Sequence, residues 1–253
     1  MKTLLFTILY LFMLVGCHDK PFNDVGIFKG TNVEELSRYV ESEDTLAIKR
    51  YLLNNHIDID TPDLKYGTSL LMWSISNGKY HSFKILLENG ANPNYIDKQG
   101  STPLYFAVTY IDSNYRTDDR YIKLLIRKGA NPYLITNDSI NHTKHDPISL
   151  SPLHLDYLRV FIEECNVDVN YERDGRSIVE TAIIHEKLDE LYYLVVEHGA
   201  FIDSNARGEV NKWKLIEDIE GWQYEKDSEE DKMRNDIVNC YYIQHPEEKL
   251  KKP

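Results

Sequence analysis

Apolar residues recur along this chain in short clusters at helical spacing, each followed by a polar turn. The phrase Leu86-Leu87-Glu88-Asn89-Gly90-Ala91-Asn92-Pro93-Asn94 returns as Leu125-Ile126-Arg127-Lys128-Gly129-Ala130-Asn131-Pro132. Weaker copies occupy Leu52–Asp60, Phe161–Asn170 and Val195–Asp203. Aligned on the glycine, the copies fall at positions 56, 90, 129, 166 and 199, at intervals of 34, 39, 37 and 33 residues. A second phrase precedes the turn, clearest in Gly100-Ser101-Thr102-Pro103-Leu104-Tyr105-Phe106-Ala107 and degenerate in Gly67–Leu71 and Gly175–Val179 with Ala182. Thr102 is placed to cap a helix starting at Pro103, where a missing N–H costs nothing. Leu104, Ala107 and Val108 then share one face. Lys84–Leu87 and Lys123–Ile126 supply a second helix, which Gly90 and Gly129 end. Asn92-Pro93 and Asn131-Pro132 turn the chain into an extended loop. No single helix pair buries both its faces, so the core must run along a stack.

These phrases resemble the ankyrin repeat, with a period near 33 and a Thr-Pro-Leu-His-x-Ala signature. The resemblance implies an all-α ankyrin-repeat solenoid of about five repeats (helix-turn-helix plus extended loop), with a helical C-terminal cap. The repeats are expected over residues 31–204, with a cap and frayed tail over 205–253. The third repeat gains a polar loop at Asp112–Asp119. In the fourth, Asn137–Asp146 is polar and loop-like, and Pro147 and Pro152 fall where its first helix should lie. That helix is expected to be short or distorted, with only Asp156–Glu164 well formed. The first repeat, Val33–Asp60, lacks the Thr-Pro start and carries Glu34, Glu35, Glu41 and Glu43, as a polar terminal cap would. In the tail, Trp213, Ile216, Ile219 and Trp222 form one helical stripe and Met233, Ile237 and Tyr241 a second. The charged segment Lys226–Lys232 separates them, and Pro246–Pro253 reads as frayed.

The start of the chain has another pattern. After Met1 and Lys2, an apolar run extends from Leu4 to Val15, interrupted by Thr7 and Tyr10. A bilayer span needs about 20 residues, so this run fits a secretory h-region instead. Its end, Leu14-Val15-Gly16-Cys17, resembles a bacterial lipobox. That resemblance implies lipidation of the Cys17 thiol and cleavage after Gly16, with residues 1–16 as signal peptide and 17–30 as a lipidated tether. His18, where Asp favours inner-membrane retention, leans the expectation to a periplasm-facing anchor in the outer membrane.

Composition narrows the function classes. Among 253 residues, 29 Lys and Arg face 41 Asp and Glu, a net charge of −12. Removing residues 1–16 deletes only Lys2 and leaves −13. Nucleic-acid binding needs clustered cations, so it is not expected. No Gly-x-Ser-x-Gly elbow, phosphate loop or His-Glu-x-x-His occurs, so neither catalysis nor a cofactor is expected. His142 and His145 lie in a polar stretch without a third ligand at metal spacing. His185, Glu197 and His198 read as a solvated helix face. Asn137-Asp138-Ser139 and Asn141-His142-Thr143 match the glycosylation acceptor pattern. Cys165 and Cys240 read as buried thiols, with oxidation as the alternative.

What remains is binding to another protein, with the chain a monomer when unbound. The loop tips and first helices of such an array form one concave face. The residues there are Tyr66, Trp73, Tyr95, Asp97, Lys98, Tyr105, Tyr133, Tyr171, Arg173 and Asp174. Eighteen Tyr against eight Phe fits half-buried rings with wet hydroxyls, either anchoring a partner or packing between neighbouring loops. Ankyrin lipoproteins resemble immunity proteins that neutralise secreted antibacterial toxins, including type VI phospholipases. The alternative is a periplasmic scaffold for an endogenous envelope protein.

Overall fold

A computed structural model describes residues 24–109, 118–137, 144–203 and 215–249. Cys17, the apolar run before it, Asn141, His142 and Trp213 lie outside the described residues. The chain is a row of antiparallel helix pairs. They are α1 (Glu34–Glu41) with α2 (Thr45–Asn54), α3 (Leu70–Ser76) with α4 (Tyr80–Glu88), and α5 (Pro103–Thr109) with α6 (Asp119–Arg127). Next come α7 (Pro147–Leu150) with α8 (Leu155–Arg159), and α9 (Ile178–Ile184) with α10 (Leu188–Tyr192). Both α8 and α10 run on into a wider π turn, at Val160–Glu164 and Tyr193–Glu197. A terminal unit of α11 (Leu215–Gly221), α12 (Glu229–Gln244) and α13 (Pro246–Lys249) follows, with α11 against α9 and α12 against α10.

Local chemistry explains the elements. Ser69, Thr102 and Ser177 hydroxyls accept from the N–H three residues on, capping α3, α5 and α9. Ser74, Ala107 and Ala182 are all buried, and their small size lets paired helices approach closely. The turn after the second helix is left-handed at Gly90, Gly129 and Gly199, and Asn166 adopts it too at φ 53°, whereas α2 ends in extended Asn55. The core is continuous along the stack, from Leu36 and Ile48 through Phe83, Ile122 and Phe161 to Leu194, Ile219 and Ile237.

The fingers between repeats are stitched by one side-chain position, four residues past the turn. The Asp60 carboxylate accepts from Asn92 N at 2.9 and 3.1 Å. Asn94 accepts from Asn131 N at 2.7 Å and donates to Gly129 O at 2.8 Å. Asn170 accepts from Phe201 N at 2.8 Å. Gln244 of the terminal unit accepts from Ile202 N and donates to Ala200 O, doing the same for the last repeat.

The structure refines four sequence expectations. The first helix of the fourth repeat is short, as expected, since α7 has four residues and passes into a 3-10 turn at Ser151–Leu153, but Pro147 does not break it: it occupies the first helical position behind Asp146, whose carboxylate accepts from Ile148 N and Ser149 N. Nor is Asn137–Asp146 wholly loop, because strands β1 (Thr136–Asn137) and β2 (Lys144–His145) pair antiparallel. Lys226–Ser228 does lie in the turn between α11 and α12, but Glu229–Lys232 belong to α12, which Ser228 caps and whose first turn Glu229–Asp231 form, where acidic side chains favour the helix dipole. Pro246–Lys249 is likewise helical, held where Tyr241 donates to Glu248 at 2.7 Å.

Candidate functional site

Two fingers are each shaped from within by an aspartate. In the second finger, Asp63 is buried and its carboxylate accepts from Lys65 N, Tyr66 N and Thr68 N at 2.8, 2.7 and 2.6 Å. Asp97 repeats the arrangement, accepting from Gln99 N and Ser101 N at 2.9 and 2.7 Å. The fifth finger turns at Asp174-Gly175, both left-handed, between strands β3 (Glu172–Arg173) and β4 (Arg176–Ser177).

Adjacent fingers are then bonded to each other. Lys98 Nζ donates to Leu64 O at 2.7 Å, and Lys98 N to Tyr66 O at 3.3 Å. The Tyr95 hydroxyl donates to Gly67 O at 3.1 Å, and the Tyr171 hydroxyl to Asp146 at 2.9 Å. Thr136 Oγ1 donates to Gly100 O. Burial, with the carboxylates of Asp97, Asp60 and Asp63 nearby, raises the Tyr95 hydroxyl above its ordinary pKa. Burial and the bond to Asp146 raise Tyr171 likewise. Both hydroxyls therefore stay protonated donors at neutral pH.

The residues singled out from sequence divide accordingly. Trp73 is 1% exposed and belongs to the core, and Asp97 at 6% is an internal brace, so neither is a surface group. Tyr95 and Tyr171, five residues past equivalent turns, spend their hydroxyls on the preceding finger. Tyr66 is half-buried under Lys65, whose Nζ sits 4.6 Å from its ring. Tyr105 is half-buried on the inner helix α5. Arg173 pairs loosely with the exposed Asp174 at 3.8 Å. Lys98 is exposed although its amine is engaged. Tyr133 is 48% exposed, its ring 6.3 Å from that of Tyr171.

Leu64 and Ile96, 69% and 48% exposed, also stand on the finger tips and were not singled out. Their signal was an apolar residue flanked by polar ones inside a turn, Asp63-Leu64-Lys65 and Ile96-Asp97-Lys98. Together with Tyr133 they set apolar groups on rigid, mutually bonded fingers. His185, Glu197 and His198 are exposed. Cys165 and Cys240 are free and half-buried, and burial with the nearby Glu164 pushes the Cys165 thiol up to about 11. Among the described residues no group of three or more His, Cys, Asp or Glu is placed to hold a metal ion. No helix among them is long and apolar enough to cross a membrane.

Known proteins carry the same pattern. A family model described as ankyrin repeats, in three copies, matches residues 36–136. Ankyrin repeat protein OPG189 of variola virus is 29% identical over 181 residues, which is 71% of this chain and 29% of the viral protein. Mouse Rabankyrin-5 is 27% identical over 139 residues, 55% of this chain and 10% of that protein. The chain thus spans under a third of these relatives' lengths. Among solved structures, the human ASB11 ankyrin repeat domain superposes with a TM-score of 0.54 at 17% identity, covering 81% of each chain. Ankyrin repeats serve in protein–protein interaction, and the fold is typically a non-catalytic binding scaffold. Residues 36–136 match the ankyrin-repeat model, and the described residues have the ankyrin-repeat fold.

Proposed function

We propose that this chain is a lipid-anchored envelope protein that binds and neutralises a secreted antibacterial toxin in the periplasm, of the type VI phospholipase class. The observation that carries the binding half is the set of exposed apolar tips, Leu64, Ile96 and Tyr133, on fingers braced by Asp63, Asp97 and Asp146. Apolar groups held rigid before contact lose little conformational freedom on binding. The inhibitory half rests on the resemblance of Cys17 and its preceding run to a lipobox, and on acidity. A net charge of −13 after loss of residues 1–16 would steer the protein onto a basic partner and make the association rate fall with salt.

The test is co-purification with the product of a neighbouring lipase-like gene, followed by substitution. Leu64→Ser, Ile96→Ser and Tyr133→Ala should each weaken the complex by about tenfold or more, the scale of an interface anchor. Lys128→Ala, on an exposed turn after an outer helix, should leave it unchanged. Equal effects from all four would refute the finger face as the contact. A growth defect on gene deletion in pure culture, with no competitor strain, would favour the scaffold reading instead.

A further inference from the structure

Outer helices of the array present the same three positions to solvent: two, five and nine residues past the N-cap. In α4, capped at Lys79, these are His81, Lys84 and Glu88. In α6, capped at Asp118, they are Arg120, Lys123 and Arg127. In α8 and its π turn, following His154, they are Asp156, Arg159 and Glu163. In α2, capped at Asp44, they are Leu46, Lys49 and Leu53. Leu46 is 72% exposed and Leu53 79%, while Lys49 and Arg50 between them are exposed too. Spacing of three, four and seven residues puts all four on one helix face. The need for a polar end cap does not explain them, because it calls for polar residues, and Arg50 already supplies one where later repeats carry the apolar Ile85, Leu124 and Val160.

We infer that the Leu46-Lys49-Arg50-Leu53 face of α2 docks on the anionic lipid surface to which the chain is anchored. The inference rests on the anchor reading above. Two leucines flanking two cations fit the boundary of a bilayer, with apolar stems entering and charges meeting lipid phosphates. Position supports it as well: six residues lie between Cys17 and Asp24, seven backbone steps that extend about 25 Å at most. The first repeat is therefore the part of the array held against the membrane. The local positive charge matters because the whole molecule is acidic and would otherwise be repelled by anionic lipid. Of the exposed carboxylates near this helix, Glu41 and Asp44 lie at its start, where Asp44 caps Ala47 N at 2.9 Å, Glu35 accepts from the Tyr39 hydroxyl at 2.8 Å, and Asp58 follows its end.

The experiment couples the full chain carrying Cys165→Ser and Cys240→Ser, through Cys17, to maleimide-headgroup lipid in vesicles of phosphatidylethanolamine and phosphatidylglycerol. A membrane-impermeant amine reagent then reports lysine accessibility by mass spectrometry. Lys49 labelling should fall by about fivefold or more on vesicles, while Lys128 labelling stays constant. Leu46→Ser with Leu53→Ser, or replacement of phosphatidylglycerol by phosphatidylcholine, should restore it. If the serine background fails to fold, the chain lipidated in cells and reconstituted gives the same comparison. Unchanged Lys49 labelling on vesicles overturns the inference. So does protection already present without vesicles, which would mean that residues 4–15 or a second copy covers the face. Whether cells attach lipid to Cys17 is read separately by incorporation of labelled fatty acid. Failure there defeats the anchor reading, while the vesicle arm still decides the docking face.

Discussion

Gly67 sits where two fingers touch. Its φ is +74°, and a Cβ placed on it would come within 2.6 Å of Lys98 Cγ and 3.1 Å of Lys98 N. The backbone neighbour cannot swing away as a side-chain end could, and an L-residue is strained at that φ. Gly67→Ala should therefore cost about 1–3 kcal/mol, beyond the usual surface substitution. Urea unfolding is the check, and a loss under about half a kcal/mol would mean that the fingers do not hold Lys98 against Gly67. The same contact explains why Lys98 behaves as part of the framework. Its ammonium donates to Leu64 O, so it fixes the tip that displays Leu64.

At the scale of the elements, the row of Asp60, Asn94 and Asn170 has a gap. The equivalent position between the third and fourth repeats is Tyr133, whose ring faces Tyr171 and which lacks a carboxyl or amide to accept the next repeat's N–H. One such bond contributes roughly 0.5–1.5 kcal/mol. Array stability sums repeat by repeat and interface by interface, so the junction without it is the place to part. Native-state hydrogen exchange should show α7 to α12 opening at lower free energy than α1 to α6. Tyr133→Asn should narrow that difference. Identical opening free energies across the whole array would contradict this account. The terminal unit does not suffer the same weakness, because Gln244 bonds both Ala200 O and Ile202 N, and His245 Nε2 donates to Ile202 O at 2.7 Å.

For the whole molecule, anchoring and folding are separable. Cys17 lies seven residues before the first described residue, Asp24, and the continuous core begins later, at Phe28. On the proposed reading, Cys17→Ala should move the protein out of the membrane fraction while its circular dichroism spectrum and melting temperature stay unchanged. Continued lipid labelling of that variant would exclude the lipobox. If the variant unfolded, the tether would have a structural part to play that no described contact suggests.

The fold was legible in the sequence because each repeat is written locally. A cap such as Thr102, a small residue such as Ala107 and a left-handed turn such as Gly129 act within a few residues of themselves, so their order and spacing suffice. Periodicity also placed α12, once Ser228 is recognised as its cap. The finger surface was only half legible. Asp97 and Leu64 both lie in polar turns, yet one is buried and the other exposed, because the Asp97 carboxylate turns in to accept from Gln99 N and Ser101 N of its own finger while Leu64 stays 69% exposed. Spacing sets Tyr95 and Tyr171 five residues past their turns, but only the stacked repeats bring Gly67 O and Asp146 within reach of their hydroxyls. Trp73 fell into the core for the same reason: the helix face that meets the next repeat is set by stacking. What the sequence determined alone was the repeat and its phase. The tertiary structure decided which side chains the stack consumes and which, like Leu46, Leu53, Leu64 and Ile96, it leaves in water.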